Sequence, residues 1–268
     1  MRNTYPLNSP IRWAGSKRKL LPELHAHMPN GFSRYIEPFC GSLSLWLSLP
    51  PKPAIVGDIN PELIHFYKMV RWRPRVVARL ADAWGLDSDT YYEVRALNPS
   101  ELSAELRAAR FLYLNRLCFN GVYRTNRQGK FNVPRGTRVP GMPSGDELAA
   151  LSGRLKTADI HCVDFEKIVS LAKKGDFVYL DPPYAGRGAR DRGEYGKGSF
   201  LEADIERLDV ALKKASCGGA KILVSYADTI TIRSAFSDWN IFELRVPRNV
   251  SGFTKGRTSA AEILIRNY

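Results

Sequence analysis

Short apolar runs alternate along the chain with segments of helical periodicity, except in a central region where only the helical pattern occurs. The runs are rich in β-branched and aromatic residues, which is typical of buried strands. The predicted strands begin at Tyr35 and Ala54 and then comprise Asp159–Val163, Phe177–Leu180, Lys221–Tyr226, Ile241–Val246 and Glu262–Ile265. This alternation predicts an α/β fold with a largely parallel sheet, closed by two antiparallel strands at one edge.

The central region, residues 61–149, is predicted to be mainly helical. Its clearest helix carries apolar residues at intervals of three or four, namely Leu102, Leu106, Ala109, Tyr113 and Leu117. Outside it, another helix ends at Gly218-Gly219, and its predicted core residues are Leu201, Ile205, Leu208, Leu212 and Ala215. We therefore predict a helical domain, 61–149, inserted into an α/β domain formed by residues 1–60 and 150–268.

The charge balance of the chain indicates the class of its binding partner. The chain of 268 residues has 40 Lys and Arg against 27 Asp and Glu, which gives a net charge of +13. Such an excess favours a polyanionic partner, with nucleic acid the first candidate and an anionic membrane surface the second. No apolar run approaches the roughly 20 residues that span a bilayer, and no signal-peptide pattern is present. An intracellular protein is the expectation.

The four cysteines give no sign of a metal site or a disulfide framework. They lie far apart and form no CxxC pair, at Cys40, Cys118, Cys162 and Cys217. No cluster of Cys and His has the spacing of metal ligands. We predict buried reduced thiols and no structural metal.

Much of the positive charge is concentrated between Leu106 and Pro140. This stretch holds eight basic residues and no acidic one, namely Arg107, Arg110, Arg116, Arg124, Arg127, Lys130, Arg135 and Arg138. Asparagines and aromatic residues lie between them (Asn115, Phe119, Asn120, Tyr123, Asn126, Phe131 and Asn132). These side chains are suited to reading base edges and stacking on bases. A further basic patch suited to phosphates comprises Arg245, Arg248, Lys255 and Arg257.

Three acidic residues follow predicted strands. Asp181 comes directly after Phe177–Leu180, where two prolines end the strand because proline cannot donate to a sheet ladder. Asp58 follows the strand that begins at Ala54. Open α/β sheets bind ligands at the carboxyl ends of their strands, and an acidic residue after the second strand commonly holds ribose hydroxyls. A helix-capping role is the alternative for Asp58. Asp164 follows the predicted strand Asp159–Val163, and we expect either a position near a cofactor or an exposed strand end.

Four segments resemble DNA adenine-N6 methyltransferases of the Dam type. Asp181-Pro-Pro-Tyr184 resembles the catalytic tetrapeptide of enzymes that methylate an exocyclic NH2 group with S-adenosylmethionine. Arg12 to Lys17 resembles the opening motif of the family, Phe39-Cys-Gly41 its cofactor loop, and Asn115 to Pro134 its target-recognition hairpin. The resemblance implies a Rossmann-like S-adenosylmethionine-dependent methyltransferase sheet with an inserted, mainly helical DNA-recognition domain at 61–149.

The resemblance also implies roles for individual residues. The Asp181 carboxylate and the Pro182 carbonyl would each accept an N–H bond of the amino group, and Tyr184 would stack on the flipped base. The cofactor pocket would be lined by Trp13, Lys17, Phe39, Gly41 and Asp58, together with Asp181. The family often has a second glycine where this chain has Leu43. Related phage-type enzymes tolerate leucine there.

The hairpin residues that match the recognition positions of the family are Phe119, Asn120, Val122, Arg124, Asn126 and Pro134. The aromatic residue would wedge into the duplex beside the flipped adenine, and Arg124 would read a guanine. The implied target is double-stranded DNA at GATC or at another site that contains GAT. Beyond Pro134 the chain departs from the Dam pattern, which leaves the outer bases open.

Three alternatives remain at this point. A cytosine-N4 methyltransferase usually carries Ser-Pro-Pro-Tyr, and a protein-glutamine methyltransferase usually carries Asn-Pro-Pro-Tyr. The third is a DNA-binding regulator that keeps the fold without turnover. The resemblance implies a cytoplasmic enzyme of bacterial or phage origin, either solitary or part of a restriction-modification pair, with no obligate protein partner.

Overall fold

A mixed β-sheet of seven strands forms the centre of the protein. The computed structural model describes residues 5–126, 128–184, 200–244 and 262–268. The strands are β1 Tyr35–Glu37, β2 Ala54–Gly57, β3 Ala158–His161, β4 Phe177–Leu180, β5 Lys221–Ala227, β6 Asn240–Leu244 and β7 Glu262–Arg266. Their order in the sheet is β3-β2-β1-β4-β5-β7-β6.

The pairing confirms the predicted Rossmann-like fold. The strands β1 to β5 pair in parallel, with Tyr35 opposite Ala54 on one side and opposite Phe177 on the other. The predicted closing strands are antiparallel, and β7 lies between β5 and β6. Every residue of β1, β2 and β4 is buried, as expected for strands covered on both faces.

The α-helices of the described residues are α1 Leu21–Ala26, α2 Ser44–Ser48, α3 Pro61–Trp72, α4 Pro74–Asp82, α5 Ser88–Ala96, α6 Ala104–Leu117, α7 Gly145–Leu155, α8 Phe165–Val169, α9 Glu202–Cys217 and α10 Ile230–Ala235. The region between β2 and β3 contains α3 to α7 and is helical, as predicted. Helix α3 begins at Pro61, a residue favoured at the first helical position, and the Asn60 side chain caps it by accepting from two backbone N–H groups. Among the described residues, no helix is long and apolar enough to cross a membrane.

The two faces of the sheet form separate apolar clusters. On one face, β1 and β2 pack with residues of α3 and α7, such as Leu63 and Leu148. On the other face, the sheet packs with residues of α8 and α9, such as Ile168 and Leu208. A third cluster, which includes Tyr91 and Phe131, lies where α5 and α6 meet the predicted hairpin. The region 61–149 therefore shares part of its core with the sheet, and its division into a separate domain stays a prediction.

Two details of the predicted core are wrong. Leu201 is 60% exposed, because it precedes α9 as the capping residue and does not lie on the buried face of that helix. Cys162 and Cys217 are exposed, whereas Cys40 and Cys118 are buried as predicted. Residues 185–198, Arg127, the end of the predicted strand at Val246 and the basic patch of Arg245, Arg248, Lys255 and Arg257 lie outside the described residues.

Candidate functional site

A cavity of about 780 Å³ opens at the carboxyl ends of β1, β2 and β4. The residues predicted to bind cofactor or catalyse all line it: Trp13, Lys17, Phe39, Gly41, Asp58, Asp181, Pro182 and Tyr184. They come from three strand ends and the N-terminal segment, so the parallel topology brings together parts of the sequence that lie far apart. The volume falls in the range of about 300–1,000 Å³ typical of small-molecule sites.

Asp181 is held in the cavity by two donors. Its Oδ1 atom accepts a hydrogen bond of 3.0 Å from Ser225 Oγ and lies 3.1 Å from Lys17 Nζ. Burial raises the pKa of Asp181 above its ordinary value, although Lys17 and Ser225 act in the opposite direction. A carboxylate with a raised pKa is a strong hydrogen-bond acceptor once it is ionised.

Lys17 connects Asp181 and Tyr184. Its Nζ atom donates to Tyr184 Oη at 2.8 Å in addition to its contact with Asp181. The side chain is only 8% exposed. Burial alone lowers the pKa of Lys17, but Asp181, Tyr184 and Glu262 together raise the pKa above its ordinary value. The ammonium is therefore charged across the physiological pH range.

The loop after β1 is shaped by close packing. Gly41 has φ +41°, and a Cβ atom there would lie 2.8 Å from Cδ1 of Trp13. Leu43, where the family often has glycine, also adopts the left-handed conformation with φ 57°. This conformation explains why glycine is favoured at that position.

Asp58 supports the same loop. Its Oδ2 atom accepts from Gly41 N at 3.2 Å, and its Oδ1 atom accepts from Asn60 N at 2.9 Å. It lines the cavity, while Asn60 performs the capping of α3, so the side chain of Asp58 does not cap that helix. Burial raises the pKa of Asp58 to about 6.

Asp164 is partly exposed and lies at the rim of the cavity. Its side chain caps α8 by accepting from Glu166 N at 3.0 Å, and it also lines the cavity. Arg207 Nη2 lies 2.8 Å from Asp164 Oδ1 and holds the carboxylate in place.

The predicted hairpin is present between Arg124 and Asn132. Thr125 pairs with Phe131 in antiparallel orientation. Asn126 closes the turn, since its Oδ1 accepts from the backbone N–H groups of Gln128 and Lys130. Arg124 Nε donates to Asn132 Oδ1 at 2.8 Å. This bond orients the guanidinium group along the hairpin.

The other predicted recognition residues differ in accessibility. Phe119 is 53% exposed, and the neighbouring Asn120 is exposed in a left-handed conformation with φ 53°. Pro134 is exposed and its carbonyl accepts from Phe119 N at 2.9 Å. Val122 is partly buried against the cluster of α5 and α6. Phe119 therefore presents a ring to solvent, whereas Val122 contributes to packing.

Part of the basic stretch is bound by other groups of the protein itself. Arg107 forms an ion pair with Glu62 of α3. The buried Arg110 donates to the carbonyls of Val94 and Arg95, and Arg116 donates to carbonyls of Pro10 and Gly141. A buried guanidinium group satisfies its donors on the protein itself. These three arginines hold α6 in place, whereas Lys130 and Arg138 are exposed.

Several contacts at and near the cavity were not predicted. Ser225, which holds Asp181, lies in the apolar strand β5, and an isolated polar residue there was the available signal. The Asn115 side chain accepts from Arg12 N at 2.8 Å and donates to Arg12 O at 2.5 Å. Gly121 also packs on Arg12, where a Cβ atom would lie 2.5 Å from the arginine Cβ. The opening motif is thus joined to the base of the hairpin.

Comparison with known proteins identifies similar sequences over nearly the whole chain. The family described as D12 class N6 adenine-specific DNA methyltransferase matches residues 13–250. A type II methyltransferase of Lactococcus lactis subsp. cremoris, M1.LlaDCHI, is 31% identical over 277 residues, which cover 100% of this chain and 98% of the relative. A DNA adenine methylase of Serratia marcescens is 33% identical and is covered to 96%, with 95% of this chain aligned. The retron Ec67 DNA adenine methylase of Escherichia coli is 32% identical, and the alignment covers 95% of this chain and 89% of the relative.

Proposed function

Because the chain belongs to the D12 class of N6 adenine-specific DNA methyltransferases, we propose that it transfers a methyl group from S-adenosylmethionine to N6 of a flipped adenine within GATC or another GAT-containing site. The observation that carries the proposal is the position of Asp181, Pro182 and Tyr184 in one cavity with the loop of Gly41 and Asp58. Membership of an adenine-specific family argues against the cytosine-N4 and protein-glutamine alternatives.

The residues of the cavity suit S-adenosylmethionine. Asp58 would accept hydrogen bonds from ribose hydroxyls, and Asp164 lies at the neighbouring strand end. Phe39 stacks on Phe165 with ring centroids 5.3 Å apart, which gives the cavity an aromatic wall. Trp13 covers the backbone of Gly41. When bound, the cofactor would supply the methyl group and its own leaving group.

The chain's own residues would make the adenine amino group reactive. Its lone pair is delocalised into the ring, so the nitrogen is a poor nucleophile. The Asp181 carboxylate and the Pro182 carbonyl would each accept one N–H bond, which favours tetrahedral nitrogen with a freed lone pair. Tyr184 would stack on the base after it leaves the duplex. Lys17 and Ser225 would keep Asp181 in the orientation that this requires.

A methyl-transfer assay tests the function. Labelled S-adenosylmethionine is incubated with the protein and a duplex that contains one GATC site, and with a matched duplex in which the adenine pair of that site is replaced. We expect label only in the first duplex. Equal label in both, or label in a protein substrate alone, would contradict the proposed target.

We propose that residues 61–149 recognise double-stranded DNA, with Phe119 as the wedge and Arg124 as a base reader. Arg124→Ala is expected to relax selectivity at one guanine by about 1–3 kcal/mol. Lys130→Ala is the matched control, because Lys130 is exposed on the same hairpin and would contact phosphate. It should lower affinity for all sequences alike. Arg107 is unsuited to this comparison, since it pairs with Glu62.

Methylome sequencing of cells that express each variant measures this difference. We expect extra methylated sites for Arg124→Ala that differ from the wild-type site at one position. If that variant kept the wild-type site and lost only the overall level of methylation, the hairpin would act as a phosphate clamp.

Asp58→Ala is expected to weaken S-adenosylmethionine binding, because each lost hydrogen bond to a charged acceptor is worth about 1.5–3 kcal/mol. For the wild type, affinity should also decrease as the pH falls through about 6, where protonation removes the charged acceptor. Calorimetric titration at several pH values measures both effects, and thermal unfolding controls for damage to the loop. An unchanged dissociation constant in the variant would assign Asp58 to loop support alone.

A further inference from the structure

Glu262 is a second carboxylate beside Lys17. It is the first residue of β7 and is paired with Ala227 of β5, so it lies two residues along the ladder from Ser225. Its Oε2 atom is 3.5 Å from Lys17 Nζ, and its side chain is 12% exposed. It lines the same cavity as Asp181. The single ammonium of Lys17 therefore faces two carboxylates.

The hydrogen bonds around Lys17 are unevenly shared. An ammonium group has three donors, and Lys17 directs them towards Tyr184 and Asp181 at 2.8 and 3.1 Å. Within the described part of the chain, Glu262 Oε2 is buried and accepts no hydrogen bond. Among the described residues, Glu262 is therefore held near the site by its ion pair with Lys17, which also contacts Asp181.

The second carboxylate affects the acceptor that Asp181 must provide. An ammonium bound to Asp181 competes with the incoming amino group for the lone pairs of the carboxylate. A second carboxylate at the same ammonium partly offsets the field of that ammonium at Asp181, because charges at this separation interact strongly in a partly buried site. Without Glu262, nothing from that carboxylate would oppose the effect of Lys17 on Asp181.

We propose that Glu262 is a positioning residue for methyl transfer, which shares the Lys17 ammonium with Asp181 and keeps Asp181 a strong acceptor for the amino N–H. The inference rests on the proposed acceptor role of Asp181. Glu262 itself need not touch the substrate.

The electrostatic surroundings of Asp181 agree with this role. The titratable groups that face it within the described residues are Lys17, Glu37, Tyr179, Tyr184 and Glu262. Burial is the main cause that raises the pKa of Asp181, Lys17 lowers it, and Glu262 raises it further. Removal of the Glu262 charge should therefore lower the pKa of Asp181. Since Asp181 acts when ionised, the acidic limb of the pH–rate profile should move to lower pH.

Glu262→Gln tests the proposal with little change in size. The single-turnover rate at saturating DNA and S-adenosylmethionine is expected to fall about ten-fold, which corresponds to about 1.4 kcal/mol. The acidic limb of the pH–rate profile should shift to lower pH, while the dissociation constants for both substrates stay near the wild-type values. Glu262→Asp keeps the charge and should restore part of the rate. The matched control is Glu243→Gln on β6, where the carboxylate pairs with Arg233 at 2.7 Å.

A Gln variant with the wild-type rate and the wild-type acidic limb would overturn the role of Glu262. Thermal unfolding shows whether the Gln variant folds. If it does not, the Asp variant is used instead. A wild-type rate and a wild-type acidic limb in the Asp variant would overturn the proposal, whereas a reduced rate with a shifted acidic limb would support it. Asp181→Ala is measured in parallel. If it is inactive while Glu262→Gln is normal, only the inference about Glu262 fails; if it is active, the proposed function fails as well.

Discussion

Replacement of Asp181 by alanine is expected to lower the single-turnover rate of methyl transfer by about 10²–10³-fold, the cost of removing one pre-organised polar group from a reacting centre. The carboxylate matters most as the amino nitrogen becomes nucleophilic, so its loss raises the barrier and leaves ground-state binding largely intact. Binding of S-adenosylmethionine and of DNA should stay close to wild type. Rapid-quench measurements with saturating substrates, together with titrations of each substrate, separate the two effects.

Asp181→Asn is the matched variant, because it keeps the size of the side chain and one carbonyl acceptor. We expect a milder but still severe loss, since an amide accepts more weakly than a carboxylate. Both variants leave Lys17 in contact with Glu262 and Tyr184, which limits the disturbance of the site. A near-wild-type single-turnover rate for Asp181→Ala would disprove the assignment of the acceptor.

The affinity for DNA is expected to fall about 10³-fold between 50 and 200 mM salt, if roughly six phosphates are neutralised and the slope of log K against log salt is about −5. The physical reason is the release of counterions from DNA by a protein with a net charge of +13. Fluorescence anisotropy with a labelled duplex at several salt concentrations measures the slope.

Binding of S-adenosylmethionine over the same salt range is the control, because that ligand releases no condensed counterions. Lys130→Ala should reduce the slope by about 1 if Lys130 contacts a phosphate. A flat response of the DNA affinity to salt would argue against a nucleic-acid substrate.

The sheet and its cavity were predictable because they depend on local patterns. Apolar runs such as Phe177–Leu180 identify buried strands, and parallel pairing then places Asp58 and Asp181 at the same edge. The sequence motifs then indicated which residues line the cavity at the carboxyl ends of these strands. The separate domain at 61–149 is still a prediction. The roles of the site residues are proposals.

The contacts between distant segments were not predictable. The sequence context of Arg107 suggests a phosphate ligand, but in the fold Glu62 of α3 lies beside it and forms an ion pair with it. Glu262 and Lys17 meet only because β7 is inserted between β5 and β6. Helical periodicity assigned Leu201 to the core, but a helix boundary one residue later leaves it exposed. Pairing across the fold and the ends of helices are decided by tertiary packing, which a single sequence does not specify.

The most direct test of the central claim is the identity of the modified base. Unmethylated plasmid is incubated with the purified protein and S-adenosylmethionine, and the modified bases are mapped by single-molecule sequencing, with Asp181→Ala protein as the control. We expect N6-methyladenine at GATC or another GAT-containing site with wild-type protein, and unmodified plasmid with the variant. Methylation of cytosine N4, or plasmid that stays unmodified with wild-type protein, would contradict this account.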